Sequence, residues 1–229
     1  MKNIIIKSVI SIVILIFSFM GCWDSHNHHS INDPETEEGS GYITGENRNV
    51  SECSGVNLKY YGKVYLKQGS EQSIHVEADD NIIDDVVTRN ENGYLTTGLR
   101  NGSYSNVTVK VYVTLKSIEN ISIEGSGAVY IENSINCDKL TCSINGAGDI
   151  DLWGSANNLD CRINGAGNIS AFDFITKYCT AKISGTGNCS LNVTEDLDAS
   201  ISGVGNIIYS GEPKRVTSSI SGMGKIGKK

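Results

Sequence analysis

Proline is nearly missing from this chain, at 2 residues in 229, and aromatic residues reach only 7%. Proline-rich, collagen-like and coiled-coil chains are thereby excluded. Positive charge is also short: Lys plus Arg number 19 against 26 Asp plus Glu, a formal net charge of −7. Removing Lys2 and Lys7 with an export signal leaves 17 against 26. Phosphate binding needs a basic face, so nucleic acid is excluded as a partner. Catalytic motifs are absent too, with no GxSxG elbow, HExxH helix or GxxxxGK loop, and no CxxC or zinc-type spacing. The only histidine beyond residue 40 is His75, read as a surface strand residue. The chain is accordingly read as a non-enzyme, without cofactor or metal.

What is present begins with an export signal. Lys2 and Lys7 precede an apolar stretch from Val9 to Met20, broken only by Ser11 and Ser18. That is the length of a signal peptide and short for a membrane span. The segment ends Phe19-Met20-Gly21-Cys22, which resembles a bacterial lipobox, with a small residue before the cysteine that takes the lipid. Residues 1–21 are read as a lipoprotein signal peptide and Cys22 as the lipidation site. Several acyl chains, at about 0.8 kcal/mol per buried CH₂, hold a protein on a bilayer almost permanently. The expected location is the cell envelope, lipid-anchored at the outer membrane, either periplasmic or surface-exposed. Residues 22–40 are polar, nearly free of aliphatics, and read as a disordered tether. His26, His28 and His29 lie on it with no rigid frame to complete a metal site.

The rest of the chain repeats. ISIEGSG at 121 returns as SINGAGD at 143, RINGAGN at 162, KISGTGN at 182, SISGVGN at 200 and SISGMGK at 219. The first glycines, Gly125, Gly146, Gly165, Gly185, Gly203 and Gly222, are 21, 19, 20, 18 and 19 residues apart. Two residues before each stands an isoleucine: Ile123, Ile144, Ile163, Ile183, Ile201 and Ile220. Further columns of Leu, Cys and Ala alternate with polar positions, the period of a strand with one buried face. A second inward column, from Val129 and Ile150 to Ile226, follows each glycine corner. The pattern predicts an all-β fold, a right-handed β-helix-like solenoid with coils of about 19 residues, each burying its apolar face on its neighbours. Residues 121–229 form this solenoid, and 41–120, which are strand-like but poorer in glycine, form opening coils or a cap. The isoleucine column is expected to be one dry spine. Lys225, Lys228 and Lys229 stand where a further coil would dock.

Three residues after the first glycine the corner carries Asp149, then Asn168, Asn188, Asn206 and Lys225. A calcium-binding nonapeptide roll needs a period of nine and an aspartate in each copy, so calcium is excluded. These amides are expected to form a hydrogen-bonded ladder. The six cysteines after Cys22 are even in number, which suggests disulfides in an exported protein. Cys142, Cys161, Cys179 and Cys189 nevertheless occupy inward columns and are read as buried thiols, with Cys142 and Cys161 the pair best placed to bridge.

At these residues the chain resembles a known family, the auto-transporter adhesins with a head GIN domain. The resemblance runs from about Arg48 to Lys229, through RNVSECSGVNLKYYGKVYLKQGSEQSIHVEADDNI and the ISGxGN repeats. Cys53 and the pair Tyr60-Tyr61 depart from its pattern. The resemblance implies a β-helix-like fold and a surface or periplasmic lipoprotein. The function read from all this is a lipid-anchored envelope binding or structural module, an adhesin presenting a polar solenoid face to glycan, envelope protein or host protein. Its candidate ligand-binding residues are Asn145, Asn164, Asn168, Asn188 and Asn206. The alternative is an envelope accessory or stress-sensing protein that binds another envelope protein. A third reading, a polysaccharide-active enzyme, would use Asp149, Asp151 and Asp173 with Arg162 and Lys182. Hydrolysis needs paired carboxylates at a defined separation, and the repeat accounts for these residues as solvated outward positions.

Overall fold

A computed structural model describes residues 36–229. The signal peptide, Cys22 and the tether up to residue 35 lie outside the described residues. Apart from a 3-10 turn at Ile83–Asp85, the regular structure is all strand. The first part comprises β1 (Glu37–Glu38), β2 (Ile43–Asn47), β3 (Gly55–Leu58), β4 (Tyr61–Gln68) and β5 (Ser73–Asp79). It continues with β6 (Val86–Glu91), β7 (Tyr94–Leu99), β8 (Tyr104–Ser105) and β9 (Val109–Leu115). The repeats then supply β10 (Asn120–Ile123), β11 (Ser126–Ile131), β12 (Ile135–Ile144), β13 (Ala147–Ile163) and β14 (Ala166–Ile183). They end with β15 (Thr186–Ile201), β16 (Val204–Ser210), β17 (Arg215–Ile220) and β18 (Met223–Lys228).

The repeats stack as parallel coils in the register that the columns predict. Ile123 pairs with Ile144, Ile144 with Ile163, Ile163 with Ile183, and Ile183 with Ile201. The inward residues Leu140, Cys142, Ile150, Leu159, Cys161, Ile169, Leu197 and Ala199 are all buried. Burying each aliphatic side chain contributes about 1.5–3 kcal/mol. The spine is dry over five of its six isoleucines; Ile220 is 47% exposed, and Val216 in the neighbouring column is 39% exposed. Both lie on β17, which pairs with β15 on one side and with no other strand among the described residues, so nothing covers its outer edge.

Residues 41–120 are both coil and cap. The segment from β3 to β4 is a further coil in register with the repeats: Leu58 pairs with Ile123, Val64 with Val129 and Leu66 with Ile131. The chain then leaves the stack and returns as β7 and β9, which dock in parallel on the outer side of β3 and β4. The coil latest in this part of the sequence is thus outermost. Strands β5, β6 and β2 close that end by antiparallel pairing. On the outward face, Tyr65 stacks on Tyr112 with ring centroids 5.0 Å apart and leans on Tyr130 at 5.5 Å, tying the returning coil to the two beneath. His75 lies at this end, its Nδ1 2.8 Å from Asn47 Oδ1.

Residues 36–40, read from composition as the end of the tether, are ordered. Glu37 and Glu38 pair in parallel with Tyr104 and Ser105. Ser40 and Gly41 donate their backbone N–H groups to Asn81 and Asp79 side chains. Partners that lie 40 residues or so away in sequence have no local signature.

All six described cysteines are free thiols. Cys142 and Cys161 are in-register neighbours on adjacent coils, both buried. Burial, with Asp138 and Glu119 nearby, pushes the Cys137 thiol up to about 11, and burial pushes Cys142 well above the ordinary 9.0. The folded state therefore holds these protons after the unfolded chain has released its own. For Cys137 the contribution to stability is intact below the ordinary value and lost as pH rises from 9.0 toward about 11. Iodoacetamide labelling followed by peptide mass mapping should leave Cys137 unmodified near neutral pH, with modification rising only as pH approaches about 11.

Candidate functional site

The most regular surface of the molecule is the glycine corner. At each coil the chain turns through Gly-x-Gly, and the outward middle position is Ser126, Ala147, Ala166, Thr186, Val204 and Met223 in turn. Backbone bonds run from coil to coil even through this bend: Ala147 N–H donates to Gly125 O at 2.8 Å and Ala166 N–H to Gly146 O at 2.9 Å. The coils approach so closely that the corner has no room for side chains at the glycines, which leaves a strip of backbone whose outward residues are small as far as Thr186 and larger at Val204 and Met223.

Amide ladders flank this strip. Before it, Asn164 Nδ2 donates to Asn145 Oδ1 at 2.8 Å. After it, Asn168 donates both its backbone N–H and its Nδ2 to Asp149 Oδ1, at 3.0 and 2.8 Å. Asn188 does the same to Asn168, and Asn206 to Asn188, at 3.0–3.1 Å. Lys225 N–H closes the series on Asn206 Oδ1 at 3.2 Å. Asn168, Asn188 and Asn206 thus each spend the side-chain oxygen and one amide N–H on the ladder and keep a second N–H free, while Asn145 gives only its oxygen and Asn164 only one N–H. The structure therefore brings Asn168, Asn188 and Asn206 together in one row and Asn145 with Asn164 in another. Replacing Asn188 by Ala removes three of these bonds. Because the site is exposed, the expected loss is about 1 kcal/mol, readable as a shift in the urea midpoint.

Among the residues considered for hydrolysis, Asp149 is the first rung of the ladder, and Arg162 pairs with Asp160 at 2.6 Å.

The strip ends in a cleft. In the coil from β3 to β4 the register places Tyr61 on Ser126 and Gly62 on Gly127, so Tyr60 stands where every later coil has its first glycine. Side chains fit there because the chain from Leu99 to Val107 swings aside on its way from β7 to β9 and opens the corner. The result is a cleft of about 710 Å³ whose walls include Tyr60, Tyr61, Tyr104, Asn101 and Asn106. Tyr61 is 45% exposed. Tyr104 is held by its hydroxyl, which donates to Asp85 Oδ2 at 3.0 Å; burial and then Asp85 push it above the ordinary tyrosine range. The basic side chains at the cleft are matched by acids: Arg100 Nη2 lies 2.7 Å from Asp85 and Lys59 Nζ 3.7 Å from Glu91. The cleft is thus aromatic and amide-bearing, with its two cations paired and Glu124 a further acid in its wall. Sequence reasoning did not name Tyr61 or Tyr104 as site residues. The available signal was the Tyr60-Tyr61 pair breaking the Gly-x-Gly pattern.

Stack, corner and cleft together define a glycine-cornered β-solenoid whose N-terminal end carries antiparallel strands. The chain belongs to the family described as "Putative auto-transporter adhesin, head GIN domain", whose model matches residues 54–213. Among solved structures, a putative adhesin from Bacteroides fragilis is similar, with a TM-score of 0.69 at 24% identity over 84% of this chain and 99% of that one. A putative lipid binding protein from Parabacteroides distasonis is similar with a TM-score of 0.52 at 21% identity, over 85% of this chain and 100% of that one. A putative adhesin from Parabacteroides merdae gives a TM-score of 0.50 at 20% identity, over 84% and 98%. At these identities the likeness is one of fold. No curated protein matches the chain.

Proposed function

We propose that the chain is a lipid-anchored module of the outer membrane that binds a neutral glycan along its corner, with the tyrosine cleft as the principal subsite. The cleft is the observation that carries this reading. Tyrosine rings offer apolar faces to the C–H faces of sugars at little cost in side-chain entropy, while nearby amides and hydroxyls satisfy sugar hydroxyls. Its paired cations and acids favour an uncharged ligand. The free N–H of each ladder rung, from Asn145 and Asn164 on one side of the strip and Asn168, Asn188 and Asn206 on the other, recurs once per coil, about 4.8 Å apart. That spacing suits a ligand which itself repeats. Membership of an adhesin family and the lipobox-like Phe19-Met20-Gly21-Cys22 support an envelope location.

A glycan array probed with the full chain tests this. Binding to one or more uncharged oligosaccharides is expected, and Tyr60→Ala/Tyr61→Ala should weaken it at least tenfold, about 1.4 kcal/mol. An empty array, or binding indifferent to both tyrosines, would overturn the proposal.

A further inference from the structure

The two ends of the stack differ in charge and each leaves strand edges open. Among the described residues β2 pairs only with β5 and β6 only with β7 at one end, while β17 pairs only with β15 and β18 only with β16 at the other. The elements closing the first end, residues 36–48 and 79–91, hold eight acidic residues and two arginines. The last coil, residues 212–229, holds five basic residues and one glutamate. Ion pairs within the chain do not cancel this asymmetry. Lys214 and Arg215 pair with Glu195 and Asp196 of the preceding coil, and Lys228 with Glu212. Lys225 and Lys229 have no acidic partner among the described residues, Lys229 resting instead over the Phe172 ring at 4.4 Å, and Glu37, Asp80 and Asp84 have no basic one.

From this we infer that the basic end of one copy docks on the acidic end of the next, in a head-to-tail assembly along the stack axis. Strand direction allows it. β2 runs opposite to β5, and β5 opposite to β9, so β2 runs with β4 and with the whole column that ends at β18. A second copy translated along the axis therefore sets β18 beside β2 in parallel, continuing the ladder, and β17 beside β6. Val216 and Ile220, left 39% and 47% exposed, would gain the cover that every other coil has, and Met223, 68% exposed, would approach Ile43, 49% exposed. Tail-to-tail pairing would set Lys225 and Lys229 of two copies against each other. The lysines thus discourage the closed dimer and favour the open, heterologous contact, which extends beyond two copies.

Sedimentation velocity of the full chain in non-ionic detergent tests the inference. At about 0.01 M salt, species larger than dimer should grow with concentration, and they should fall to the single-copy mass at about 1 M salt, where screening is complete within about 3 Å. Lys225→Glu/Lys229→Glu should abolish growth. Adding Asp80→Lys/Asp84→Lys to the same chain should restore it, while Ile220→Lys alone should weaken it, with unchanged circular dichroism in each case. A single-copy mass under all conditions overturns the inference, as does association that stops at a dimer or ignores the charge reversals.

Discussion

Replacing Gly167 by Val should abolish the folded stack or cost it at least about 4 kcal/mol, a size reserved for a short set of mechanisms. Gly167 is the second glycine of its corner, with φ at +151°, a region that L-residues with side chains rarely enter. A Cβ at this position would overlap the carbonyl oxygen of Gly148 in the adjoining coil. That oxygen belongs to the backbone, whose position is fixed by coil-to-coil hydrogen bonds, so neither partner can move aside. The damage also spreads, because the Gly167 carbonyl in turn faces the Cβ position of Gly187. The neighbouring Ala166→Val should change stability by no more than about 0.5 kcal/mol, since the same outward column already carries Val204. Chemical denaturation of the pair separates close packing at the corner from a general intolerance of bulk there.

Phe174→Ala should cost about 3–5 kcal/mol, as truncation of a buried phenylalanine does when its surroundings cannot collapse. Phe174 is fully buried. Its register partner in the preceding coil is Gly154, which has no side chain, and the following coil skips the position where β14 bulges between Ala171 and Ile175. The ring therefore fills space that neither neighbour fills. Both coils are pinned on either side of the bulge by in-register pairs, so the cavity would persist. Phe174→Leu, which keeps most of the volume, should lose less than half as much. Equal losses from the two variants would show that the ring does not fill such a space.

The repeat half of the fold was legible because each inward column repeats the same kind of residue at one-coil intervals, and Ile144, Ile163 and Ile183 lie where that periodicity puts them. Ile220 is the exception that periodicity cannot report: its burial depends on a coil beyond it, which is a property of the stack and not of the repeat. The order of the N-terminal coils was not legible for a related reason. The alternation of β9 and the apolar Leu95 and Leu99 of β7 are the same whether these strands stack outside β3 and β4 or between them and β10 and β11, and their sequence marks no preference. The ordered strand at Glu37–Glu38 is decided by distant partners at Tyr104 and Ser105. At the corner, the asparagine ladder was readable from spacing alone. The cleft was half readable: Tyr60-Tyr61 broke the glycine pattern, but Tyr104, Asn101 and Asn106 reach the same place only because the chain between β7 and β9 swings past it.

Ligand binding at the tyrosine cleft is the central proposal for this solenoid. Its most direct test is a titration of the isotope-labelled full chain with the oligosaccharide that binds best on the array, followed through tyrosine ring signals and asparagine side-chain amides. Shifts centred on Tyr60, Tyr61 and Tyr104 and fading along the ladder from Asn145 outward are the predicted result. Shifts centred on another face, with those tyrosines unmoved, would contradict it.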